Sequence, residues 1–120
     1  MNTVVSTKIY EINNSENEIS LSMSVGQGQI SSTTIFFNNQ ILETGIENGF
    51  RNKVVGKNKL LNNTILAVDI TVKDVNPATN DTMIDLKLSG GATEQHQRYS
   101  ETAQKDGDLV HYHITYFLKK

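Results

Sequence analysis

Glu18-Ile19-Ser20-Leu21-Ser22-Met23-Ser24-Val25 is the stretch that decides the fold class. Ile19, Leu21, Met23 and Val25 fall on one side of an extended backbone, and Ser20, Ser22 and Ser24 on the other. Successive side chains of a strand point to opposite faces, so a period of two marks a strand with one dry and one wet face. The same rhythm returns in Leu66-Ala67-Val68-Asp69-Ile70-Thr71-Val72-Lys73 and in Thr82-Met83-Ile84-Asp85-Leu86-Lys87-Leu88. It returns again in Val110-His111-Tyr112-His113-Ile114-Thr115-Tyr116-Phe117-Leu118, where Val110, Tyr112, Ile114, Tyr116 and Leu118 share the apolar side. A slip of one residue would turn each apolar set into water, which fixes the registers.

Weaker strands flank these four. Residues 7–12 form a first strand with Ile9 or Tyr10 inward, and residues 30–37 carry the Thr and aromatic side chains that suit a pleated surface. Residues 40–44 follow, with Asn38-Asn39 as a two-residue hairpin turn between them. Polar and glycine-bearing breaks separate the strands at residues 13–17, 26–28, 74–81 and 90–91, the third holding Pro77. No segment shows a helical stripe; the best candidate, residues 92–105, has Tyr99 as its only large apolar side chain. Residues 45–63 read as a crossing connection with one short strand near 53–56. Residues 92–108 read as a polar loop of about 17 residues, and loops beyond about 12–15 residues are uncommon in compact domains and often functional.

These segments predict a single domain over residues 1–120: an all-β, antiparallel, two-sheet β-sandwich of about seven strands. An immunoglobulin- or fibronectin-III-like Greek key is the leading topology, with a jelly roll or small barrel as the alternative. The Cys…Trp…Cys hallmark of true immunoglobulin domains is impossible here, because the chain has neither Cys nor Trp.

Composition narrows the function classes. Without Cys there are no disulfides and no thiolate zinc sites. Eleven basic against thirteen acidic side chains, a net charge of −2, is too neutral a balance for a dedicated nucleic-acid binder. No apolar run approaches the roughly 18 residues of a membrane span. The first residues lack the basic and apolar regions of a signal peptide, so a cytoplasmic protein is expected as written; a mature secreted domain restarted at Met fits as well.

His111-x-His113 is the most suggestive pair. On a strand, positions i and i+2 share a face about 6.5–7 Å apart, close enough to chelate one metal. His96, in the adjoining polar loop, is the candidate third imidazole, with Asp106 or Asp108 as an oxygen ligand. The 74–81 turn offers oxygens from Asp74, Asn76, Asn80 and Asp81, but its spacing is not that of an EF-hand, and Asn and Asp are also what a turn requires. Asp69 and Asp85 are expected to face outward on neighbouring strands, where they can approach one another. No nucleophile elbow or phosphate loop is present.

The functional expectation is a non-enzymatic protein-interaction module or accessory subunit, with no cofactor and no catalytic residues. Its partner, an unidentified protein, would bind one continuous surface made by the 92–108 loop and the adjacent C-terminal strand face: His96, Arg98, Tyr99, His111, His113 and Phe117. The first alternative is a small-ligand or carbohydrate binder using Tyr99, Tyr112 and Tyr116 around a concave face. The second is a metal site or metal enzyme on His96, His111 and His113. Self-association through exposed edge strands is a further option.

Overall fold

A computed structural model describes residues 2–120, and over that span the chain forms nine strands and one 3-10 turn. The strands are β1 (Asn2–Glu11), β2 (Glu18–Val25), β3 (Ile30–Phe37), β4 (Gln40–Glu47), β5 (Phe50–Lys57), β6 (Thr64–Lys73), β7 (Asp81–Ser89), β8 (Gln95–Thr102) and β9 (Leu109–Lys119). They form two sheets: a five-stranded sheet in the order β1-β9-β6-β3-β4 and a four-stranded sheet in the order β5-β2-β7-β8. The arrangement fits a sandwich. Among the described residues, no helix is long and apolar enough to cross a membrane.

The alternating segments behave as their patterns require. Leu66, Val68, Ile70 and Val72 from β6 and Val110, Tyr112, Ile114, Tyr116 and Leu118 from β9 are fully buried. They meet Ile19 and Leu21 from β2 and Ile84, Leu86 and Leu88 from β7 across the interior. Removing each such aliphatic side chain from water stabilises the fold by about 1.5–3 kcal/mol. The two large phenols need partners inside this layer. Tyr112 shares a 2.6 Å hydrogen bond with Thr82 Oγ1, and the Tyr116 hydroxyl donates to Gln97 at 3.3 Å. Burial raises both hydroxyl pKa values above that of a free tyrosine, so each stays protonated. The Asn38-Asn39 turn between β3 and β4 has φ of 49° and 66°, the two positive values a type I′ hairpin demands.

Four expectations are corrected. Nine strands replace about seven, because residues 45–63 hold the end of β4 and all of β5, and residues 92–108 hold β8. The sandwich is not wholly antiparallel: β1 runs parallel to β9, from Asn2 opposite Val110 to Glu11 opposite Lys119. The first strand begins at Asn2, with Tyr10 inward and Ile9 outward. Finally, residues 92–108 are not one loop: eight of them pair with β7, from Asp81–Thr102 to Leu88–Gln95.

The edge β1 is tied to β8 and to the β7–β8 connection. Ser6 Oγ and Tyr99 Oη lie 3.0 Å apart, the Tyr10 hydroxyl donates to the Thr93 carbonyl at 2.6 Å, and it accepts from the Gly91 amide at 2.9 Å. At the other side, β4 and β5 are joined by the Lys53–Glu43 ion pair at 2.7 Å, and both strands carry register shifts that blunt their free edges.

Candidate functional site

The outward positions of the five-stranded sheet form rows that can be read directly from its registers. Ile9, Phe117 and Ile65 make one row. Thr7, Thr115, Ala67, Phe36 and Ile41 make the next, and Val5, His113, Asp69 and Thr34 the third. Thr3, His111, Thr71, Ser32 and Glu47 follow, and Leu109, Lys73 and Ile30 close the face. The alternation that sends Val68, Ile70, Tyr112 and Ile114 inward sends these residues outward.

Exposed apolar side chains surround a polar middle: Ile9, Phe117 and Ile41 toward one end, Ile30 and Leu109 at the other, and Val5 on the edge strand. Val5 is 69% exposed, Ile9 66%, Ile41 63% and Phe117 41%. Two open depressions of about 420 and 380 Å³ meet at Ile65 and Phe117; the first adds Phe36, Ala67, Asp69, His113 and Thr115, the second Ile9 and Lys119. In the polar middle, Asp69 serves both histidines. Its Oδ1 hydrogen-bonds His113 Nδ1, directly opposite on β9, and lies 3.8 Å from His111 Nε2.

The outer face of the four-stranded sheet is different in kind. Ser20, Ser22 and Ser24 from β2 lie outward beside Asp85 and Lys87 from β7, which pair with Arg98 and His96 on β8. Arg98 holds Asp85 in a fork, Nε to Oδ1 at 2.9 Å and Nη2 to Oδ2 at 3.4 Å, while His96 Nε2 lies 3.4 Å from Oδ1. The guanidinium hydrogen bond holds the Asp85 carboxyl below its usual range against the opposing effect of burial. An open, largely polar hollow of about 370 Å³ includes Ser22, Ser24, Arg51, Asp85, Lys87 and His96.

Comparison of the chain with family models, with curated proteins and with solved structures returns no match.

The structure therefore divides the residues singled out from the sequence. His111, His113 and Phe117 do share one outward face. His96 and Arg98 lie on the outward face of the other sheet, and Tyr99 points inward from β8, half-buried against the core. The expected continuous surface is thus not formed, because loop residues 95–102 are a strand whose alternation separates Arg98 from Tyr99. The three histidines cannot converge on one metal for the same reason. Among the described residues, no group of three His, Cys, Asp or Glu side chains is placed to hold a metal ion. Asp69 and Asp85 stand on different sheets and do not pair. Tyr112 and Tyr116 are buried, and the depressions described above are lined by other residues. Asp69 itself was legible as outward, but its contact with His113 depends on the β6–β9 register, which no local pattern states.

Proposed function

We propose that the protein is a non-enzymatic interaction domain that binds a protein partner on the outer face of its five-stranded sheet. The observation that carries this reading is the concentration of Val5, Ile9, Ile41 and Phe117 on that one face. Contiguous exposed apolar surface with a polar margin is a common form of protein contact site. Phe117, flanked by Ile9 and Ile65 in neighbouring strands, is the central anchor; Asp69, His111 and His113 supply the polar side of the contact. The serine-rich opposite face is the solvated one. An immunoglobulin-like type for the sandwich belongs to the same proposal. The order β9-β6-β3 corresponds to the G-F-C sheet of that fold, with the β7–β8 hairpin interposed between the strands in the F and G places.

The test is affinity capture from the source cells with the wild-type chain, with Phe117→Ala and Ile9→Ala, and with His96→Ala and Arg98→Ala on the opposite face. Loss of the apolar anchors should weaken retention of the partner about tenfold or more. Retention unchanged by Phe117→Ala and Ile9→Ala, but lost with Arg98→Ala, would place the contact on the wrong sheet. A stable dimer in light scattering, broken by Phe117→Ala, would make the partner a second copy of the chain.

A further inference from the structure

At the end of the sandwich near Lys73 and Leu109, two connections meet: the segment from β6 to β7 and the one from β8 to β9. Main-chain hydrogen bonds lock them together. The Asp74 amide donates to the Asp108 carbonyl at 3.0 Å, the Gly107 amide to the Asp74 carbonyl at 3.0 Å, and the Ala103 amide to the Asn80 carbonyl at 2.7 Å. Buried Gln29 fixes the same region from β3's side: its Oε1 accepts from the Val75 and Asn76 amides at 2.7 and 2.9 Å, and its Nε2 donates to the Asp81 carbonyl at 3.0 Å.

This scaffold brings two carboxylates to the side chain of Asn80. The end of the Asn80 amide stands 2.7 Å from Asp74 Oδ2 and 2.6 Å from Asp106 Oδ1. With Nδ2 turned toward them, the amide donates to both carboxylates and its own bonding is satisfied; a cation between them would require the opposite turn, with Oδ1 facing the two carboxylates. Asp74 is 97% buried by its 3% exposure, and its Oδ1 has no hydrogen-bond partner. Among the described residues, neither Asp74 nor Asp106 forms an ion pair with a basic side chain. A buried carboxylate with one unpaired oxygen and no basic partner is costly, and a hard cation offsets that cost by binding its oxygens.

We propose that Asp74, Asn80 and Asp106 form a calcium site, in which the Asn80 amide turns its oxygen toward the cation. Both oxygens of Asp74, the Asn80 Oδ1 and one or both oxygens of Asp106 provide four or five of the roughly 6–8 oxygens calcium takes, and water supplies the rest. A site with two carboxylates and open positions belongs to the weak range, with a Kd of about 10⁻⁴–10⁻³ M. The set contains only two carboxylates beside the amide, so it differs from the three-histidine arrangement excluded above.

Isothermal titration of CaCl₂ into the chelator-treated protein tests this, with thermal unfolding in calcium, in magnesium and in chelator as a second readout. Wild type should bind one calcium and gain thermal stability that magnesium at the same concentration does not give. Asp106→Asn, at an exposed position, and Asn80→Ala should each weaken binding about tenfold or more. The proposal is overturned by a wild-type chain that takes up no calcium at about 10 mM. It is overturned equally if either variant binds as tightly as wild type, or if magnesium stabilises as much as calcium.

Discussion

Replacing Asn58 should damage the fold more than any exposed polar substitution in the chain. Asn58 opens the 3-10 turn Asn58–Leu60 and is wholly buried. Its Oδ1 accepts from the Asn13 amide at 3.1 Å, and its Nδ2 donates to the carbonyls of Asn17 and Gly90, each at 2.8 Å. It therefore ties the β1–β2 connection to the end of β7. In Asn58→Ala, the Asn13 amide and the Gly90 carbonyl lose this partner, while the Asn17 carbonyl keeps the Asn58 main-chain amide at 3.0 Å. Two orphaned, partly buried groups at about 1–1.5 kcal/mol each, plus the vacated side-chain volume, give a loss of about 2–4 kcal/mol. Asn58→Asp should cost more at neutral pH, because a carboxylate would face two carbonyl oxygens where an NH₂ group now donates. Equilibrium urea unfolding followed by far-UV circular dichroism measures both. With the slope unchanged, Asn58→Ala should lower the midpoint by about 1–2 M. A midpoint within about 0.3 M of wild type would refute the reasoning, since it would mean that water replaces all three bonds at no cost.

Two glycines separate backbone strain from collision. Gly45 and Gly90 both have positive φ, +69° and +95°, but a Cβ on Gly45 meets nothing within 4 Å, whereas on Gly90 it would stand 2.0 Å from the Glu18 carbonyl oxygen. Gly45→Ala should cost about 1–2 kcal/mol, and Gly90→Ala should exceed that or prevent folding; equal losses in thermal melts would contradict the contact geometry. The Arg98–Asp85 fork makes a pH-dependent prediction. Because the folded carboxyl titrates below its unfolded value, its stabilisation is present above the unfolded pKa and is lost as pH falls through the folded one. Arg98→Ala should therefore be less stable than wild type at pH 7, and the gap should close at acidic pH; a gap that widens on acidification would invert the assignment.

How legible the molecule is depends on how dry each strand's inner face is. In β2, β6, β7 and β9 the inward residues are apolar or tyrosine, except Thr82, which bonds Tyr112, so the period of two stands out in the residues themselves. In β8 the inward positions are Gln95, Gln97, Tyr99 and Glu101, opposite Leu88, Leu86, Ile84 and Thr82. Gln97 accepts a hydrogen bond from buried Tyr116, and Tyr99 meets Ser6 on β1. An edge strand that satisfies polar atoms instead of filling an apolar layer has no hydrophobic alternation to read. The end of β4 and the full length of β5 are obscured for another reason: register shifts opposite β3 and β2, with positive φ at Gly45 and Asn52, interrupt the period.

The amino-acid sequence by itself determined the strand class, the four central registers' facing and the Asn38-Asn39 turn, because each depends on residues within a few positions of one another. It also placed His111, His113 and Phe117 on one wet face. The tertiary structure alone decided which strands are neighbours, and with that everything non-local. It set Asp69 opposite His113, put His96 and Arg98 on the other sheet, buried Asn58 as a hub and brought Asp106 to Asp74 and Asn80. The physical reason is that alternation specifies which side of a strand is wet but not which strand lies beside it. Pairing is chosen by packing across the whole interior, between segments as far apart as β1 and β9.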